Sequence, residues 1–355
     1  MVIFTTTIVG TNLAIIATLI AKMDCILRLV DSALSTANMD AVDALRAFFI
    51  FAACTIFSVS LPDSLRSRFI PYGARATKAA AESETSATST SASKSTSAAP
   101  ASVSAVTRAL DYAAALRVPH SYFTQFYVIL VLSSIFWALQ LLSHGRAFQA
   151  IAARIRPEHL DQAISINQVM LCWGLLLTQG LRRLHECLSF SKPSSSTMWF
   201  VHWFAGLGFY LAVAVAVWIE GAGTVLTHQL SLDDFDLTSR FSGRTLLSLP
   251  IFLIASGIQH DCHHYLSSLK KYTLPTHPMF NWILCPHYTA ECIIYLSLAY
   301  LAAPKGEIMN KTLLSAVFFV AVNLGITAST TRQWYRQKFG ESAVQGKWNM
   351  IPLIY

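Results

Sequence analysis

The chain is a succession of apolar runs separated by polar connections. Because a helix rises about 1.5 Å per residue, roughly 20 apolar residues cross a bilayer. The shorter runs are open to three interpretations: tilted spans, re-entrant segments, or helices buried within a bundle. The runs are residues 2–21, 47–61, 123–142, 164–181, 199–219, 245–258, 291–303 and 313–329. We therefore predict an all-α, polytopic membrane protein with roughly six to eight transmembrane helices.

The composition agrees with a membrane environment. Hydrophobic residues make up 54% of the chain and charged residues only 13%, with a mean hydropathy of +0.48, whereas soluble domains carry about 25% charged residues. The net charge of +7 is spread over the connections without a dense basic patch, which argues against a nucleic-acid partner. The seven cysteines form no C-x-x-C pair, so we interpret them as small buried side chains.

One connection stands apart in composition. Residues 74–107 consist mainly of Ala, Ser and Thr, which bury too little apolar surface to offset the entropy of an ordered chain, and we predict a disordered loop. Lys and Arg favour the cytosolic side of a membrane, and they are more frequent in the whole connection 62–121, in residues 182–197 and 259–287, and in the C-terminal tail. This bias predicts a cytosolic C-terminus, although three arginines in residues 143–163 run against it.

The first polar cluster lies at residues 179–186, at the predicted cytosolic end of a span. Arg183 and Glu186 are three positions apart and share one helical face. Such a cluster is an ordinary basic anchor at a membrane surface, or it orients a polar head group or supplies a proton. Ionisable residues close to membrane depth are often functional, so both interpretations stay open.

The second cluster, His260-x-x-His263-His264, has the form of a box found in di-iron membrane hydroxylases. That chemistry needs several such boxes, and the other histidines of the chain are isolated. We therefore predict no metal. The alternative is a cluster of hydrogen-bonding side chains just outside a span.

The third cluster covers residues 285–291, where Pro286 interrupts the chain and a helix is expected to begin. A helix N-terminus presents free N–H groups and positive dipole, which suit an anion such as a phosphate. Glu291 opens the following apolar run, where a lone carboxylate is costly without a partner.

Taken together, these clusters resemble the steroid 5α-reductase family, most closely its polyprenol reductase branch. The similarity covers residues 118–355. The motifs that carry it, in order, are Val118-Pro119-x-x-Tyr122-Phe123-x-x-Phe126-Tyr127, Leu181-Arg182-Arg183-Leu184-x-Glu186, Gln259-x-x-Cys262-His263, Leu269-Lys270, Pro286-x-Tyr288-x-Ala290-Glu291, Trp334-Tyr335-x-x-Lys338-Phe339 and Ile351-Pro352-Leu353-Ile354-Tyr355.

The resemblance implies an enzyme that reduces a carbon–carbon double bond conjugated to a carbonyl, with NADPH that arrives from the cytosol. In the polyprenol branch the substrate is a long-chain polyprenoid, whose α-isoprene unit is saturated on the route to dolichol for protein N-glycosylation. The aldehyde is the implied reducible species, because a hydride adds readily to an enal and not to an allylic alcohol. The implied location is the endoplasmic reticulum membrane, with membrane lipid around the chain and no obligate protein partner.

The resemblance also implies the residues that contact the cofactor. Lys270 stands where the family usually has Arg, His287 where many members have Asn, and Arg332 where His is frequent. The tail departs most from the family pattern, and Lys347 takes the place of an expected Arg. The implied cofactor contacts are Gln259, His263, Lys270, His287, Glu291, Arg332, Tyr335 and Lys347.

The reaction also needs a donor aimed at the carbonyl oxygen, where negative charge develops. Glu186 is the candidate donor, with Arg183 as its catalytic neighbour. A donor carboxyl must have a raised pKa, and Arg183 opposes that shift.

Two alternative functions stay open. The alternatives are an isoprenylcysteine-type membrane methyltransferase that uses S-adenosylmethionine, and a transporter, which would show repeated span patterns. We divide the chain into N-terminal spans (1–61), a cytosolic, largely disordered loop (62–121), a bundle with the substrate cavity (122–258) and a cofactor-binding half with the last spans and tail (259–355).

Overall fold

The computed structural model describes residues 25–70, 105–192, 195–228, 242–270 and 273–355. The apolar run 2–21 and loop residues 74–104 lie outside the described residues. The helices are α1 (Ala41–Ser60), α2 (Asp63–Phe69), α3 (Ala105–Ala115), α4 (Thr124–Leu142), α5 (Arg146–Ala152), α6 (Pro157–Asp161), α7 (Ile166–Ser189), α8 (Phe200–Ala216), α9 (Ala222–Thr227), α10 (Gly243–Ser268), α11 (Pro286–Leu301) and α12 (Lys311–Phe339). Residues 25–36 are also helical.

The prediction of an all-α membrane protein is confirmed. Each of the seven apolar runs within the described residues falls largely in a helix. In the described part of the chain, four helical segments are long and apolar enough to cross a membrane: Ala41–Ser60, His120–Leu142, Phe200–Thr227 and Lys311–Phe339. The remaining long helices do not meet this description. Helices α7 and α10 carry many polar residues, and α11 has only 16 residues.

Helices α7 and α10 continue beyond the apolar runs that predicted them. A capping box starts α7, in which Ser165 and Gln168 exchange side-chain and backbone hydrogen bonds. The helix then continues to Ser189, past the run that ends at residue 181. Helix α10 likewise extends to Ser268. Two polar clusters that the sequence placed in connections therefore lie on rigid helices.

The bundle packs α10 against α11, α12 against both α1 and α11, and α4 against both α7 and α8. Aromatic side chains fill its core. The rings of Phe209 and Phe319 are stacked with centroids 4.8 Å apart, and Trp218 is fully buried. Burial of such large apolar groups holds the layers together.

A short antiparallel ribbon lies beside the bundle. Strand β1 (Arg117–Pro119) pairs with β2 (Thr197–Trp199), with Val118 opposite Met198. The flanks of the predicted loop 62–121 are thus ordered, as α2, α3 and β1. Residues 105–107, included in the loop for their composition, begin α3 because the apolar and aromatic residues that follow continue a helical pattern.

The C-terminal tail folds back onto the segment before α11. The backbone N–H of Leu284 donates to the carbonyl of Trp348 over 2.8 Å, and that of Cys285 donates to Asn349 over 3.1 Å. Pro286 occupies the first turn of α11, where its missing N–H costs nothing. The tail therefore supports the helix start that carries the third polar cluster.

Candidate functional site

One face of α7 carries a stripe of four polar residues. Gln179, Arg182, Arg183 and Glu186 follow the spacing i, i+3, i+4, i+7, which places all four on the side that faces α10 and α11. Gln179, Arg183 and Glu186 are buried. Together with residues from the two facing helices they form what we call the Glu186 cluster. Its members are Gln179, Arg182, Arg183, Glu186, Gln259, His260, His263 and Glu291.

Glu186 is the centre of this cluster and is only 2% exposed. Each carboxylate oxygen forms an ion pair with one arginine, Oε1 with Arg182 and Oε2 with Arg183. Oε1 also lies 2.7 Å from Nδ1 of His260, and Oε2 lies 2.8 Å from Nδ1 of His263. The carboxylate is thus surrounded by hydrogen-bonding groups on both oxygens.

These contacts correct the expected role of Glu186. Burial by itself would raise its pKa, but the hydrogen bond with His263 and the charges of Arg183 and Arg182 outweigh burial and hold the pKa well below its ordinary range. Glu186 is therefore an ionised carboxylate. The expectation of a raised pKa, which a proton donor needs, is wrong.

His263 stays neutral at physiological pH. Burial and the positive charge of Arg183 lower its pKa to about 4, from an ordinary value of 6.5. A neutral imidazole with its Nδ1 next to Glu186 and Arg183 keeps its other nitrogen for a further hydrogen bond.

A second layer of the cluster consists of two amides and a carboxylate. Gln259 bonds to Gln179 over 2.9 Å and also to Arg182 and Glu291. Gln179 adds a 3.4 Å contact to Glu291. The carboxylate of Glu291, near the start of α11, therefore has the hydrogen-bond partners that a half-buried charge requires.

Arg183 links the cluster to α4. Its Nε and Nη2 donate to the hydroxyl of Tyr127 over 3.1 and 3.0 Å, and its guanidinium carbon lies 4.8 Å from the centre of the Tyr127 ring. Tyr127 was not among the residues that the sequence singled out as functional. It lies in the first recognised motif, but only tertiary contact brings it beside an arginine 56 positions away.

Two cavities meet at this cluster. A polar one of about 1000 Å³ is lined by Glu186, Lys192, Trp334 and Tyr335 among others. An apolar one of about 640 Å³ lies among α1, α8 and α12. The residues that line both cavities are His120, Phe123, Arg183, His263, His287 and Tyr288.

The structure brings together most of the predicted cofactor contacts. Gln259 and Glu291 line the apolar cavity near its polar end, His263 and His287 line both cavities, and Tyr335 lines the polar one. The rings of His263 and His287 lie 5.4 Å apart. These five residues come from three helices that meet around one space.

Three predicted contacts are placed elsewhere. Arg332 is engaged by the tail, because its guanidinium donates to the Asn349 side chain over 2.6 Å and to the carbonyls of Val344 and Lys347. Lys347 contributes its backbone to that arrangement. Lys270 is exposed just beyond α10. Neither Arg332, Lys347 nor Lys270 lines either cavity.

Lys192 is a basic residue that the sequence analysis missed. It lines the polar cavity, and its Nζ donates to the carbonyl of Leu269 over 2.9 Å. A cation at the end of the α7 stripe was visible in the sequence, but nothing there distinguished it from an ordinary anchor.

A separate set of buried charges lies near the other end of α7, and we call it the Glu220 cluster: Asp40, Asp43, Arg46, His159, Glu220 and Thr312. Arg46 bonds to Glu220 over 2.9 Å and to Thr312 over 3.1 Å. His159 bonds to Asp40 over 2.7 Å. The adjoining cavity is only about 50 Å³.

Within the described residues, the one group spaced for a metal ion belongs to the Glu220 cluster: Asp40, Asp43 and His159, with ligand atoms within 4.8 Å of one another. Asp40 already accepts hydrogen bonds from two backbone N–H groups. Asp43 lies beside the guanidinium groups of Arg46 and Arg156. This arrangement is a network of satisfied ion pairs.

Comparison with known proteins gives consistent matches. Residues 207–355 match the family described as 3-oxo-5-alpha-steroid 4-dehydrogenase. The chain is 30% identical to polyprenal reductase of Xenopus laevis over 217 residues, which cover 58% of this chain and 65% of that relative. It is 31% identical to polyprenal reductase of Saccharomyces cerevisiae over 181 residues, 51% of this chain and 62% of the relative.

A third similar protein is polyprenal reductase 1 of Oryza sativa subsp. indica, 27% identical over 290 residues that cover 68% of this chain and 80% of that protein. The match thus spans just under two thirds of the length of the Xenopus laevis and yeast relatives. These matches support neither the methyltransferase nor the transporter alternative.

Proposed function

We propose that the chain is a member of the steroid 5α-reductase family and that it saturates the α double bond of a long-chain polyprenal with NADPH. The similar proteins are named polyprenal reductases. A family of this kind uses a nicotinamide cofactor. The choice of NADPH over NADH, the polyprenoid substrate and the position on the route to dolichol are parts of the proposal.

The observation that carries the proposal is the shared wall between the two cavities. One cavity has the more polar lining and the other the more apolar lining, and they have Arg183, His263 and His287 in common. A reductase for a lipid needs such an arrangement, because its two reactants differ in polarity and must meet at one point. Neither a transporter nor a simple lipid-binding protein needs two adjoining cavities of different polarity.

The polar cavity fits a dinucleotide in its chemistry. Lys192 and Arg183 provide positive charge for phosphates, and Trp334, Tyr335 and Phe280 provide flat aromatic surfaces for ring systems. Its volume of about 1000 Å³ is at the upper end of the usual range for cofactor sites. We propose that Gln259, His263, His287, Glu291 and Tyr335 complete the binding site.

The phosphate that distinguishes NADPH needs a basic partner, and two lysines are suitably placed. Lys192 bonds to the carbonyl of Leu269, the residue that precedes Lys270. Lys270 therefore follows directly on the residue that Lys192 contacts, although it does not itself line the polar cavity. We propose that Lys192 contacts the phosphate directly and that exposed Lys270 strengthens the local positive potential.

The apolar cavity suits a polyprenoid chain. It is lined by Phe48, Phe51, Phe204 and Phe319 among others. Phe51 is 75% exposed and Phe204 65% exposed, and both lie on helices apolar enough to cross a membrane. We propose that the isoprenoid tail extends between α1 and α8 into the surrounding lipid.

When bound, a reduced nicotinamide supplies two electrons and one hydrogen to the β-carbon of the enal. The chain's own residues position the two reactants and stabilise the charge that develops. Arg183 lies at the shared wall, close to where the aldehyde group would enter the polar region. Glu186 holds Arg183 in place through their ion pair and keeps its charge balanced.

We further propose the endoplasmic reticulum membrane as the location, with a cytosolic C-terminus. The support is the bias of Lys and Arg toward the connections on the side that carries the polar cavity. The division into an N-terminal membrane part, a loop, a substrate bundle and a cofactor half remains part of the same proposal. The polar cavity would then open to cytosolic NADPH.

The direct test is reduction of a synthetic polyprenal by purified protein in lipid vesicles, with deuterium at the transferred position of NADPH. The expected product is the α-saturated aldehyde with deuterium at its β-carbon, formed equally well in the presence of a chelator. Methyl transfer from labelled S-adenosylmethionine, or stoichiometric bound iron, would overturn the proposal.

A further inference from the structure

Reduction of an enal needs a hydrogen-bond donor at the aldehyde oxygen, because that oxygen gains negative charge as the β-carbon is reduced. Glu186 cannot provide it, since its carboxylate is ionised and both oxygens accept contacts from arginine and histidine. The donor must come from another group that reaches the apolar cavity.

Buried phenols lie at that place. Among the tyrosines that line the apolar cavity, Tyr127 on α4 and Tyr210 on α8 are buried and Tyr288 is half-buried. The ring centroids of Tyr127 and Tyr210 are 5.3 Å apart. Tyr127 also contacts Arg183, which lines both cavities.

The contacts of this pair leave a hydroxyl proton for a ligand. A guanidinium group only donates, so the Tyr127 oxygen accepts both contacts from Arg183. Within the described part of the chain, neither phenol donates to a carbonyl or carboxylate oxygen, and both line the apolar cavity. A ligand oxygen in that cavity can therefore accept the proton.

Arg183 also strengthens the donor. A cation that donates to a phenol oxygen withdraws electron density from it, which makes the remaining O–H a better donor. The apolar walls exclude water, and a hydrogen bond there is stronger than one at the protein surface. A donor with fixed orientation in such a site stabilises developing charge without reorganisation.

We propose that the Tyr127–Tyr210 pair, held by Arg183, donates the catalytic hydrogen bond to the aldehyde oxygen. The inference rests on the proposed polyprenal reduction. The cofactor gives two electrons and one hydrogen to the β-carbon and is oxidised, and the π electrons of the double bond move toward the oxygen to give an enolate. The pair stabilises that enolate and keeps its protons, and a proton from water adds to the α-carbon.

Substitution of each phenol tests this role. We expect Tyr127→Phe to lower kcat by about 100-fold or more, the usual loss when one such donor is removed, with the KM for NADPH unchanged. Tyr210→Phe should lower kcat by a smaller factor, because Arg183 bonds to Tyr127 and not to Tyr210. Tyr295→Phe is the matched control, because this buried phenol lines neither cavity and should keep kcat within twofold.

A spectroscopic measurement separates a donor from a structural role. Infrared difference spectra of polyprenal bound without cofactor should show the carbonyl stretch at lower frequency in the wild type and Tyr295→Phe, and at the unshifted frequency in Tyr127→Phe. An unshifted carbonyl in the wild type would overturn the inference even if Tyr127→Phe fails to fold. So would retention of a third or more of kcat in Tyr127→Phe.

The two proposals fail in different ways. If the wild type forms no saturated aldehyde, the proposed function is wrong. If the wild type is active while both phenol variants keep their kcat and the carbonyl is unshifted, the function stands and the tyrosine pair is not its donor.

Discussion

Two buried carboxylates in different surroundings lie near opposite ends of α7, Glu220 from the turn after α8 and Glu186 on α7 itself. Ile164, just before the helix, bonds through its N–H to the carbonyl of Glu220, so the Glu220 cluster lies near the N-terminal end. The Glu186 cluster lies about 30 Å away along the helix. Both contain a carboxylate that pairs with arginine, and both include histidine.

The difference between them lies in the space they adjoin. The Glu220 cluster borders a cavity of about 50 Å³, room for little more than a water or two. The Glu186 cluster borders cavities of about 1000 and 640 Å³. A buried ion pair is by itself weak support for either stability or function. Here the adjoining space distinguishes a structural network from a candidate site.

The largest expected effect is a loss of stability when the Glu220 cluster is disrupted. Glu220→Ala removes the shorter ion pair of half-buried Arg46 and leaves it the 3.4 Å contact with Asp43. Removal of one partner of a buried pair commonly costs about 3–5 kcal/mol. We expect a clear fall in Tm in detergent, while the folded fraction keeps its specific activity within twofold. Glu307→Ala is the control, because Glu307 belongs to an exposed pair with Lys311 and should change stability by less than about 1 kcal/mol.

Substitution in the Glu186 cluster should chiefly lower activity. Glu186→Gln keeps the size of the side chain but removes the charge that holds Arg183. We expect kcat to fall about 100-fold, equivalent to about 2.7 kcal/mol. Single-turnover measurements would show whether the chemical step is affected. If Glu186→Gln lowers only Tm and leaves kcat intact, the two clusters would have the same structural role.

Acid should destabilise the protein through His263. Its pKa in the folded state is about 4, below the ordinary 6.5, so the unfolded chain binds a proton that the folded state excludes. The stability from this group is present above pH 6.5 and is lost as the pH falls toward 4, by about 2 kcal/mol after allowance for partial exposure. Unfolding curves for wild type and His263→Gln across this range measure it, and identical curves would contradict it.

The two lysines should differ in their effect on the cofactor. Lys192 lines the polar cavity and Lys270 does not, so Lys192→Ala should raise the KM for NADPH about 10-fold, or about 1.4 kcal/mol, and Lys270→Ala less than threefold. The KM for NADH should change little in either variant. A larger effect for Lys270 would reverse the assignment of the phosphate contact.

The smallest effect is expected from the Ala/Ser/Thr-rich loop. Its composition lacks core-forming side chains, so deletion of residues 80–104 should leave kcat within about twofold, or about 0.4 kcal/mol. A tenfold loss would place a functional contact in that loop.

The helical class could be predicted from the sequence because apolar periodicity and length are local properties. The ends of α7 and α10 could not be predicted in this way. These helices, capped by Ser165 and Ser242, continue through polar residues whose hydrogen bonds are made by neighbouring helices. The polar stripe from Gln179 to Glu186 could be seen in the sequence, because its residues are spaced three or four positions apart. Its partners His260 and Gln259 were visible only as part of a histidine-rich segment.

The errors at the site have a common physical cause. The sequence showed Glu186 beside Arg183 but not that two arginines and two histidines converge on one carboxylate, which decides the direction of its pKa. The motif predicts Arg332 as a cofactor contact, whereas in the structure each of its guanidinium nitrogens donates to the tail. Tyr127 acquires significance only from a contact between α4 and α7.

The wall shared by the two cavities has a consequence for kinetics and inhibition. Reactants that occupy separate spaces do not compete, so both should be bound before turnover, and initial-rate plots should intersect rather than run parallel. If the lipid enters its cavity from the bilayer as proposed, its effective concentration is a mole fraction in the membrane, and dilution with detergent should slow the reaction. A compound that crosses the wall at Arg183 and His287, with a charged part in one space and an isoprenoid part in the other, would compete with both reactants at once.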